Sequence, residues 1–481
     1  MNIPVELKLC KGEFADFADL ENSLFEAVME LGREVFRDVL VALDEEILES
    51  RDRERYRNKG LRKTCVKTRL GEVEYSRHVY EEQGTDSGER CVYLLDEALG
   101  KQTIGTVSMT VCQMAAEAAT ESTYRASSRQ ISELTGLSLS HQAVWDIVQK
   151  LGESRAEEIA QQSTLAKDGC GRGELVSKIL YEEADGIWLN LQGADRKEKG
   201  PKAEMKLAIA YDGALWSTGK KRRSLDNKVA YAGFEPVKEF MARKEGVIAN
   251  QYAMDEIELR VLNGDGASWI KSAQEADGIY VLDEFHRNKA ITENVNDEDL
   301  RKTMRSLLYE DRIEDLLLCI EASIESTLDE KEQEKRRSLL TYFTNNKDGL
   351  TSYYHRGIAI PETRHKDIHH ARLGSMESNI FTIIGNRMKG RRSCWSLRGA
   401  GNLAHLLCLK YTTGYGQLFS RTETGCERKT AETIHAPLSA GRIKETVGRG
   451  YESPLQVTTL CRTSWLKKIL APIPLSKLKI T

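Results

Sequence analysis

Residues 176–192 read VSKILYEEADGIWLNLQ, and two more apolar stretches follow them, EMKLAIAYDGALW at 204–216 and KVAYAGF at 228–234. Each stretch is short and is rich in the residue types that favour strands. The connections between them are short as well. The sequence therefore predicts three successive β-strands in this part of the chain.

Strands and helices then alternate. A helix is predicted over 237–253, a strand, loop and helix over 258–276, and a strand that runs into a helix over 278–291. Three adjacent strands followed by alternating units form the order expected of an α/β core of the ribonuclease-H-like type. Other α+β domains fit the same order, so the pattern by itself only suggests this fold.

Residues 291–374 break the alternation with a long helical pattern that contains Met304, Leu308, Leu316 and Ile320. We interpret this segment as an α-helical insertion beside the core. The sequence SMESNIFTIIGNRMKG at 375–390 then predicts another helix, with Glu377, Ile380, Phe381, Ile384 and Met388 on related faces.

The N-terminal half has a different organisation. Residues 14–58 predict an amphipathic helix pair, and 63–81 alternate around a Leu-Gly-Glu turn as in a β-hairpin. Helices are predicted over 104–120 and 127–135. The stretch 127–152 predicts helix, turn and helix, with the second helix at about 140–151, which is either a DNA-binding helix-turn-helix or an ordinary helical hairpin.

Composition excludes several classes of protein. The chain has 481 residues, enough for roughly three domains, and a net charge of −4. It contains no apolar run long enough for a membrane span and no secretion signal, so we expect a cytoplasmic protein without membrane contact. Its ten cysteines form no C-x-x-C pair, which argues against a zinc ribbon and favours reduced thiols.

The strongest chemical signal is Asp265, which an apolar strand delivers into a glycine-flanked loop before a helix. Such strand ends line the ligand crevice of α/β sheets, and carboxylates there suit Mg²⁺. Asp185 on the first strand and Glu377 in the closing helix are further candidates, and Asp212 is a rival to Asp185. The alternatives are a simple Asp-Gly turn and an acid that complements a helix dipole.

Asp283 and His286 form a D-x-x-H pair at the end of the next strand. Three residues apart on a helical turn, they share a face and can hydrogen-bond. A structural contact between the acid and the imidazole is favoured over direct metal ligation.

Positive charge is concentrated in two places. Residues 378–420 contain no Asp or Glu in a stretch of 43, whereas 1–58 and 291–338 carry net charges of −7 and −6. The basic residues predicted to contact a DNA backbone are Arg387, Lys389, Arg391, Arg392 and Arg398 together with Lys220, Lys221, Arg222 and Arg223. A solvated charged face is the alternative for 220–223.

The segments ADGIWLNLQ, LNGDGASWI, YVLDEFHRNK and SMESNIFTIIGNRMKGRRSCWS resemble the catalytic blocks of ISLre-type bacterial insertion-sequence transposases, relatives of the Mutator-like DDE transposases. The hairpin, the segment YLLDEALG and the helix-turn-helix region also resemble that family, so the similarity covers about 15–415. Each block is weak alone, but together they are specific.

The resemblance implies Mg²⁺- or Mn²⁺-dependent cleavage and joining of DNA. Asp185, Asp265 and Glu377 would be the metal-binding triad, and Asp283 and His286 would match the family's C/D-x-x-H element; Asp212 has no counterpart. The alternatives are an inactive transposase-derived DNA-binding protein and a metal-dependent nuclease without strand transfer. Double-stranded DNA, a homodimer or larger assembly and a nucleoid-associated location are expected.

The implied fold is a ribonuclease-H-like core interrupted by a helical insertion, preceded by a DNA-binding region. The expected domains are an N-terminal helical segment at 1–60, a hairpin and helix-turn-helix region at 61–165, the core at 175–290 and 375–420, the insertion at 291–374 and a C-terminal tail at 421–481.

Overall fold

A computed structural model describes residues 14–83, 90–216, 223–271 and 278–412. The chain divides into two compact units, one formed by 1–34 with 423–481 and the other by 35–422. Of the first unit only 14–34 belong to the described residues, and they lead into a long helix. The predicted tail at 421–481 lies outside them.

The helices of the described residues are α1 (Phe17–Ser50), α2 (Leu94–Ala98), α3 (Met109–Glu121), α4 (Tyr124–Leu134), α5 (His141–Lys167), α6 (Gly193–Lys199), α7 (Val237–Ala249), α8 (Ser268–Lys271), α9 (Glu284–Asn294), α10 (Glu298–Tyr309), α11 (Ile313–Ser326), α12 (Glu330–Asn345), α13 (Lys347–Leu350), α14 (Met376–Ile380), α15 (Asn386–Met388) and α16 (Leu397–Lys410). A π turn, Phe381–Gly385, joins α14 to α15. None of these helices is suited to crossing a membrane.

The strands of the same residues are β1 (Tyr56–Thr68), β2 (Gly71–Glu82), β3 (Arg90–Val92), β4 (Thr103–Ile104), β5 (Val107–Ser108), β6 (Ile179–Asn190), β7 (Lys202–Tyr211), β8 (Gly213–Trp216), β9 (Arg223–Asp226), β10 (Val229–Gly233), β11 (Leu259–Gly264), β12 (Ile279–Leu282) and β13 (Ile368–His369). They form three sheets, ordered β3-β2-β1-β5-β4, β10-β7-β6-β11-β12 and β13-β8-β9.

The N-terminal hairpin is confirmed, but it begins earlier than predicted, and the predicted helix pair is one helix. Helix α1 ends at Ser50, and Tyr56 already pairs with Glu82 across the antiparallel strands β1 and β2. The polar segment between them contains good helix formers, so periodicity continues past the true end. Cross-strand contacts such as the ion pair between Arg55 and Glu82, at 2.7 Å, override that local preference.

Helix α5 is much longer than the predicted 140–151, because Gly152 does not end it. The helix passes through this glycine, whose missing side chain lets α16 approach closely. A Cβ atom at Gly152 would lie 2.5 Å from the Cβ of Asn402. Glycine serves here for interhelical contact and not as a helix stop.

The central sheet carries the features that matter for function. Strands β10, β7 and β6 are antiparallel neighbours, whereas β11 and β12 run parallel to β6. Its two faces are both buried. One packs against α3, α5, α16 and the segment 376–388, and the other packs against α7 and the helices α10 to α12.

On the second face, an ion network joins β6, β11 and α7; Glu182 and Lys244 are buried in it, and Glu245 and Arg260 are partly buried. Glu182 and Glu245 are the acids, and Lys244 and Arg260 are the bases. The guanidinium of Arg260 donates to both Glu245 oxygens, at 2.8 and 3.0 Å, and its Nε donates to Glu182 at 2.7 Å. Burial alone would raise the pKa of Glu245, but the two cations outweigh it and lower that pKa to about 2.

Candidate functional site

Asp185 and Asp265 lie side by side in the central sheet, where β11 ends next to the middle of β6. Parallel strands β6 and β11 place Glu183 opposite Asn263, and each aspartate follows two residues later. Asp265 comes directly after β11, where its Oδ1 accepts a 2.8 Å hydrogen bond from the Ala267 amide and closes the glycine-flanked turn. Strand register therefore brings together two acids that are 80 residues apart in sequence.

His286 joins these two acids. One ligand atom from each of Asp185, Asp265 and His286 can be chosen so that all three lie within 4.8 Å of one another. The imidazole sits near the start of α9, and its side chain is 20% exposed, so the group is accessible from solvent. Two carboxylates and an imidazole form a donor set that suits a divalent cation such as Mn²⁺ or Mg²⁺.

Asp283 holds the imidazole in place. Its Oδ1 accepts from the His286 amide and faces the imidazole Nδ1, both at 3.1 Å, as the cap of α9. Burial raises the pKa of Asp283, but the hydrogen bonds from His286 and Asn263 outweigh it and keep that pKa low. In turn, the hydrogen bond with Asp283 raises the pKa of His286, and this effect exceeds the opposing effect of burial.

Glu377 reaches the group from the other side. It lies in the first turn of α14, and its side chain is 46% exposed. Its Oε1 is 3.8 Å from the Nε2 of His286, which is therefore flanked by Asp283 on one nitrogen and Glu377 on the other. The site consequently contains five of the six acidic and imidazole candidates. The sixth, Asp212, is bound by Arg364 and Asn227 instead.

The match to known proteins extends over nearly the whole chain. Residues 11–423 match the uncharacterised protein family UPF0236. The chain belongs to UPF0236. A UPF0236 protein of Streptococcus gallolyticus, named from the 3′ region of vanSb, is 23% identical over 81% of this chain and 82% of its own length. One from Caldanaerobacter subterraneus subsp. tengcongensis is 26% identical over 90% of this chain and 86% of its own.

Two buried residues of the UPF0236 site escaped the sequence analysis. Glu183 and Asn263 lie two residues before Asp185 and Asp265, on the same side of their strands, and are 0% and 1% exposed. The sequence signal that could have identified them is a polar residue inside an apolar strand, two positions before each acid.

The basic residues predicted to bind DNA occupy different environments in this UPF0236 chain. Arg387 is half-buried: its Nε donates to the Ala119 carbonyl at 2.6 Å, and its guanidinium lies 5.5 and 5.3 Å from the rings of Tyr124 and Trp395. Arg398 is exposed and pairs with Glu153.

The other residues predicted to contact DNA are exposed, lie outside the described residues or are described by their backbone only. Lys389 and Arg392 are exposed. Lys220, Lys221 and Arg222 fall outside the described part of the chain, and Arg223 and Arg391 are described by their backbone only.

Without metal, Asp185 is expected to destabilise the protein at neutral pH. Burial raises its pKa from 3.8 to about 6, with the charges of Asp265 and Glu377 adding to the effect of burial. A carboxyl whose pKa is raised by folding stabilises the fold below its unfolded pKa and loses that contribution as pH rises through the folded value. Asp185→Asn should therefore raise the free energy of unfolding at pH 8 by about 1–2 kcal/mol.

Urea unfolding with a metal chelator, at about pH 3 and at pH 8, measures this effect. The two proteins should differ at pH 8 and converge near pH 3, below the unfolded pKa of 3.8, where Asp185 is mostly protonated in both states. A variant less stable than the wild type at pH 8 would contradict the assigned environment.

Proposed function

We propose that this UPF0236 protein is a DNA transposase of the DDE type. It cleaves the ends of an insertion sequence and joins them to target DNA. The observation that carries the proposal is the convergence of Asp185, Asp265 and Glu377, which are 80 and 112 residues apart in sequence, around His286. If these acids only formed turns or capped helices, their side chains would not be expected to converge at one place in the fold.

The sheet supports the proposed ribonuclease-H-like core. Numbered by sequence within this sheet, its strands take the order 3-2-1-4-5, with the first three antiparallel and the last two parallel to the central strand. Along the chain, three neighbouring strands followed by alternating helices and strands are the order of elements expected of such a core. The helices α10 to α13 between β12 and α14 correspond to the expected insertion, and they pack on the core through Met304, Leu316 and Phe343.

Asp185, Asp265 and Glu377 would hold the divalent cations, with His286 between them. When bound, such cations activate the attacking oxygen and stabilise the leaving oxygen of a phosphodiester. The chain's own task is positioning: two rigid strands and one helix deliver the three carboxylates, and Asp283 fixes the orientation of His286.

The relatives give independent support. One UPF0236 protein of the same Caldanaerobacter strain, 25% identical to this chain, has a name that joins eleven locus designations. A protein encoded at many loci of one genome is what an element that copies or moves itself produces. We therefore propose that the DNA element that encodes this chain is mobile as well.

DNA binding is proposed for the exposed basic residues around Lys389 and Arg392, and a dimer or larger assembly would pair two element ends. The helices α4 and α5 would read the terminal repeats, as in a helix-turn-helix. In the cell, binding to DNA would associate the protein with the nucleoid.

Arg387 is expected to stabilise the fold, unlike its exposed neighbours. Arg387→Ala should lower the free energy of unfolding by about 2 kcal/mol, because it removes a charged hydrogen bond and two ring contacts.

Lys389→Gln with Arg392→Gln should instead leave stability unchanged and reduce the slope of log affinity against log salt by about two. Chemical unfolding and DNA binding at several salt concentrations distinguish the structural role of Arg387 from the DNA-binding role of Lys389 and Arg392. Normal stability with weakened DNA binding in Arg387→Ala would contradict the structural role of Arg387.

The direct test uses a plasmid that carries the DNA flanking this reading frame. A transposase should nick or cut it at the element ends with Mg²⁺ or Mn²⁺ and yield products joined to a second plasmid. Binding without cleavage would identify a transposase-derived DNA-binding protein. Cleavage without joined products would identify a metal-dependent nuclease.

A further inference from the structure

Glu183 is a fully buried carboxylate that accepts hydrogen bonds from five different groups. Its oxygens accept hydrogen bonds from the backbone amides of Gly374, Ser375 and Met376, at 2.9 to 3.2 Å. The Tyr211 hydroxyl donates to it at 2.6 Å, and the Asn263 amide donates at 3.0 Å. Strand β6 is thereby tied to the start of the helix that carries Glu377.

The contacts continue into the rest of the site. The Nδ2 atom of Asn263 also donates to the Oδ2 of Asp283, at 2.8 Å. Asp283 holds His286, and His286 faces Glu377. These contacts return to their starting point at Glu377, because its helix begins with the amides that Glu183 binds. We call this closed chain of contacts, from Glu183 through Asn263, Asp283 and His286 to Glu377, the circuit.

The circuit lies next to each proposed metal ligand. Glu183 precedes Asp185 by two residues in β6, Asn263 precedes Asp265 by two residues along β11, and Met376 immediately precedes Glu377. Side chains two residues apart in a strand project from the same face. A shift of Glu183 or Asn263 would therefore move the backbone from which a ligand projects.

We propose that Glu183 is a positioning residue that fixes the three carboxylates relative to one another, with Asn263 as its link to Asp283 and His286. The proposal rests on the proposed function, since it assigns Glu183 to the same metal site. A carboxylate has two oxygens with about four acceptor sites and no donor, so it can face this many donors without leaving a donor of its own among them. A glutamine of the same shape would turn an amide NH₂ toward them and leave donors unpaired in a buried place.

Glu182 provides a matched control. It is the adjacent residue, is also buried and has its partners on the opposite face of the sheet, namely Lys244 and Arg260. Glu182→Gln and Glu183→Gln therefore make the same chemical change at neighbouring buried positions. Only the second lies on the side of the metal site.

The experiment measures Mn²⁺ affinity directly, by the loss of the free Mn²⁺ signal in electron paramagnetic resonance, well below the unfolding temperature. Glu183→Gln should weaken Mn²⁺ binding by about 10- to 100-fold, the usual effect of losing a residue that orients metal ligands. Glu182→Gln should lower the unfolding temperature and leave the affinity unchanged. Equal affinities in the two variants would overturn the proposal.

Hydrogen exchange of the peptide covering 372–378 gives a second reading that needs neither metal nor DNA. Exchange at the amides of Gly374, Ser375 and Met376 should accelerate in Glu183→Gln and remain slow in Glu182→Gln; equal exchange in both would refute the role. If the wild type bound no Mn²⁺, the proposed function would fail. The hydrogen-exchange measurement would still decide whether Glu183 fixes the backbone segment that leads into Glu377.

Asn263→Ala carries the test should Glu183→Gln fail to fold. It removes the amide shared by Glu183 and Asp283 and should weaken Mn²⁺ binding in the same direction. In a double variant the two losses should be less than additive, because both residues act through one circuit. Normal Mn²⁺ affinity in Asn263→Ala would count against the circuit.

Discussion

Asp265→Asn should lower metal-dependent cleavage of element-end DNA by about a thousandfold, while the protein remains folded. Losing a charged ligand removes several kcal/mol of transition-state stabilisation, and each 1.4 kcal/mol corresponds to a factor of ten. The fold survives because the asparagine Oδ1 can still accept from the Ala267 amide. Rates from a single-turnover assay, with Mn²⁺ affinity measured in parallel, give the result.

Asp212→Asn is the control for that experiment. Asp212 is a buried acid that follows the neighbouring strand β7. Arg364 and Asn227 donate hydrogen bonds to it, and it is not one of the proposed metal ligands. Its loss should affect stability and spare the cleavage rate of the folded protein. Wild-type cleavage by Asp265→Asn, or an equal loss in both variants, would show that the triad is wrongly assigned.

Arg260→Met should lower the free energy of unfolding by about 3–5 kcal/mol, the usual cost of breaking a buried ion pair. The change leaves Glu182 and Glu245 with Lys244 as the one remaining cation of their network. Urea unfolding at neutral pH measures the difference.

Two controls separate charge from packing in that result. Adding Glu245→Gln to Arg260→Met should restore part of the lost stability, because it removes the uncompensated charge. Lys178→Met, which breaks an exposed pair with Glu258, should unfold like the wild type. A double variant that is less stable than Arg260→Met would mean that lost packing, not charge, explains the effect.

The sequence predicted the strands of the central sheet from their apolar runs, but the end of the second was wrong. Residues 204–216 were predicted as one strand, whereas β7 ends at Tyr211 and Gly213–Trp216 form β8 of another sheet. The sequence also singled out Asp265 through its strand and glycine-flanked loop, with Asp185 and Glu377 as weaker candidates that only the resemblance to a transposase family grouped with it. It could not distinguish Glu183 from Glu182. Both faces of β6 are buried, so the strand shows no alternation that would assign either acid to a face.

Other errors came from contacts between distant residues. Arg387 belongs to a basic cluster in sequence, yet Tyr124 and Ala119, more than 260 positions away, engage it inside the protein. Phe381 was expected on a face related to those of Ile380, Ile384 and Met388, yet it is 64% exposed while those three are buried; the π turn that begins at Phe381 shifts the helical phase of the residues after it. Neither effect leaves a trace in local periodicity.

The π turn between Glu377 and Arg387 makes their spacing part of the site. The π turn holds one residue more than an α-helical turn. If the same number of residues formed regular α-helix through 381–385, everything after this stretch would be rotated by about 100° relative to Glu377. The acid and Arg387 would no longer reach their partners at the same time, so a chain with regular helix in this stretch would need a different anchor for one of them.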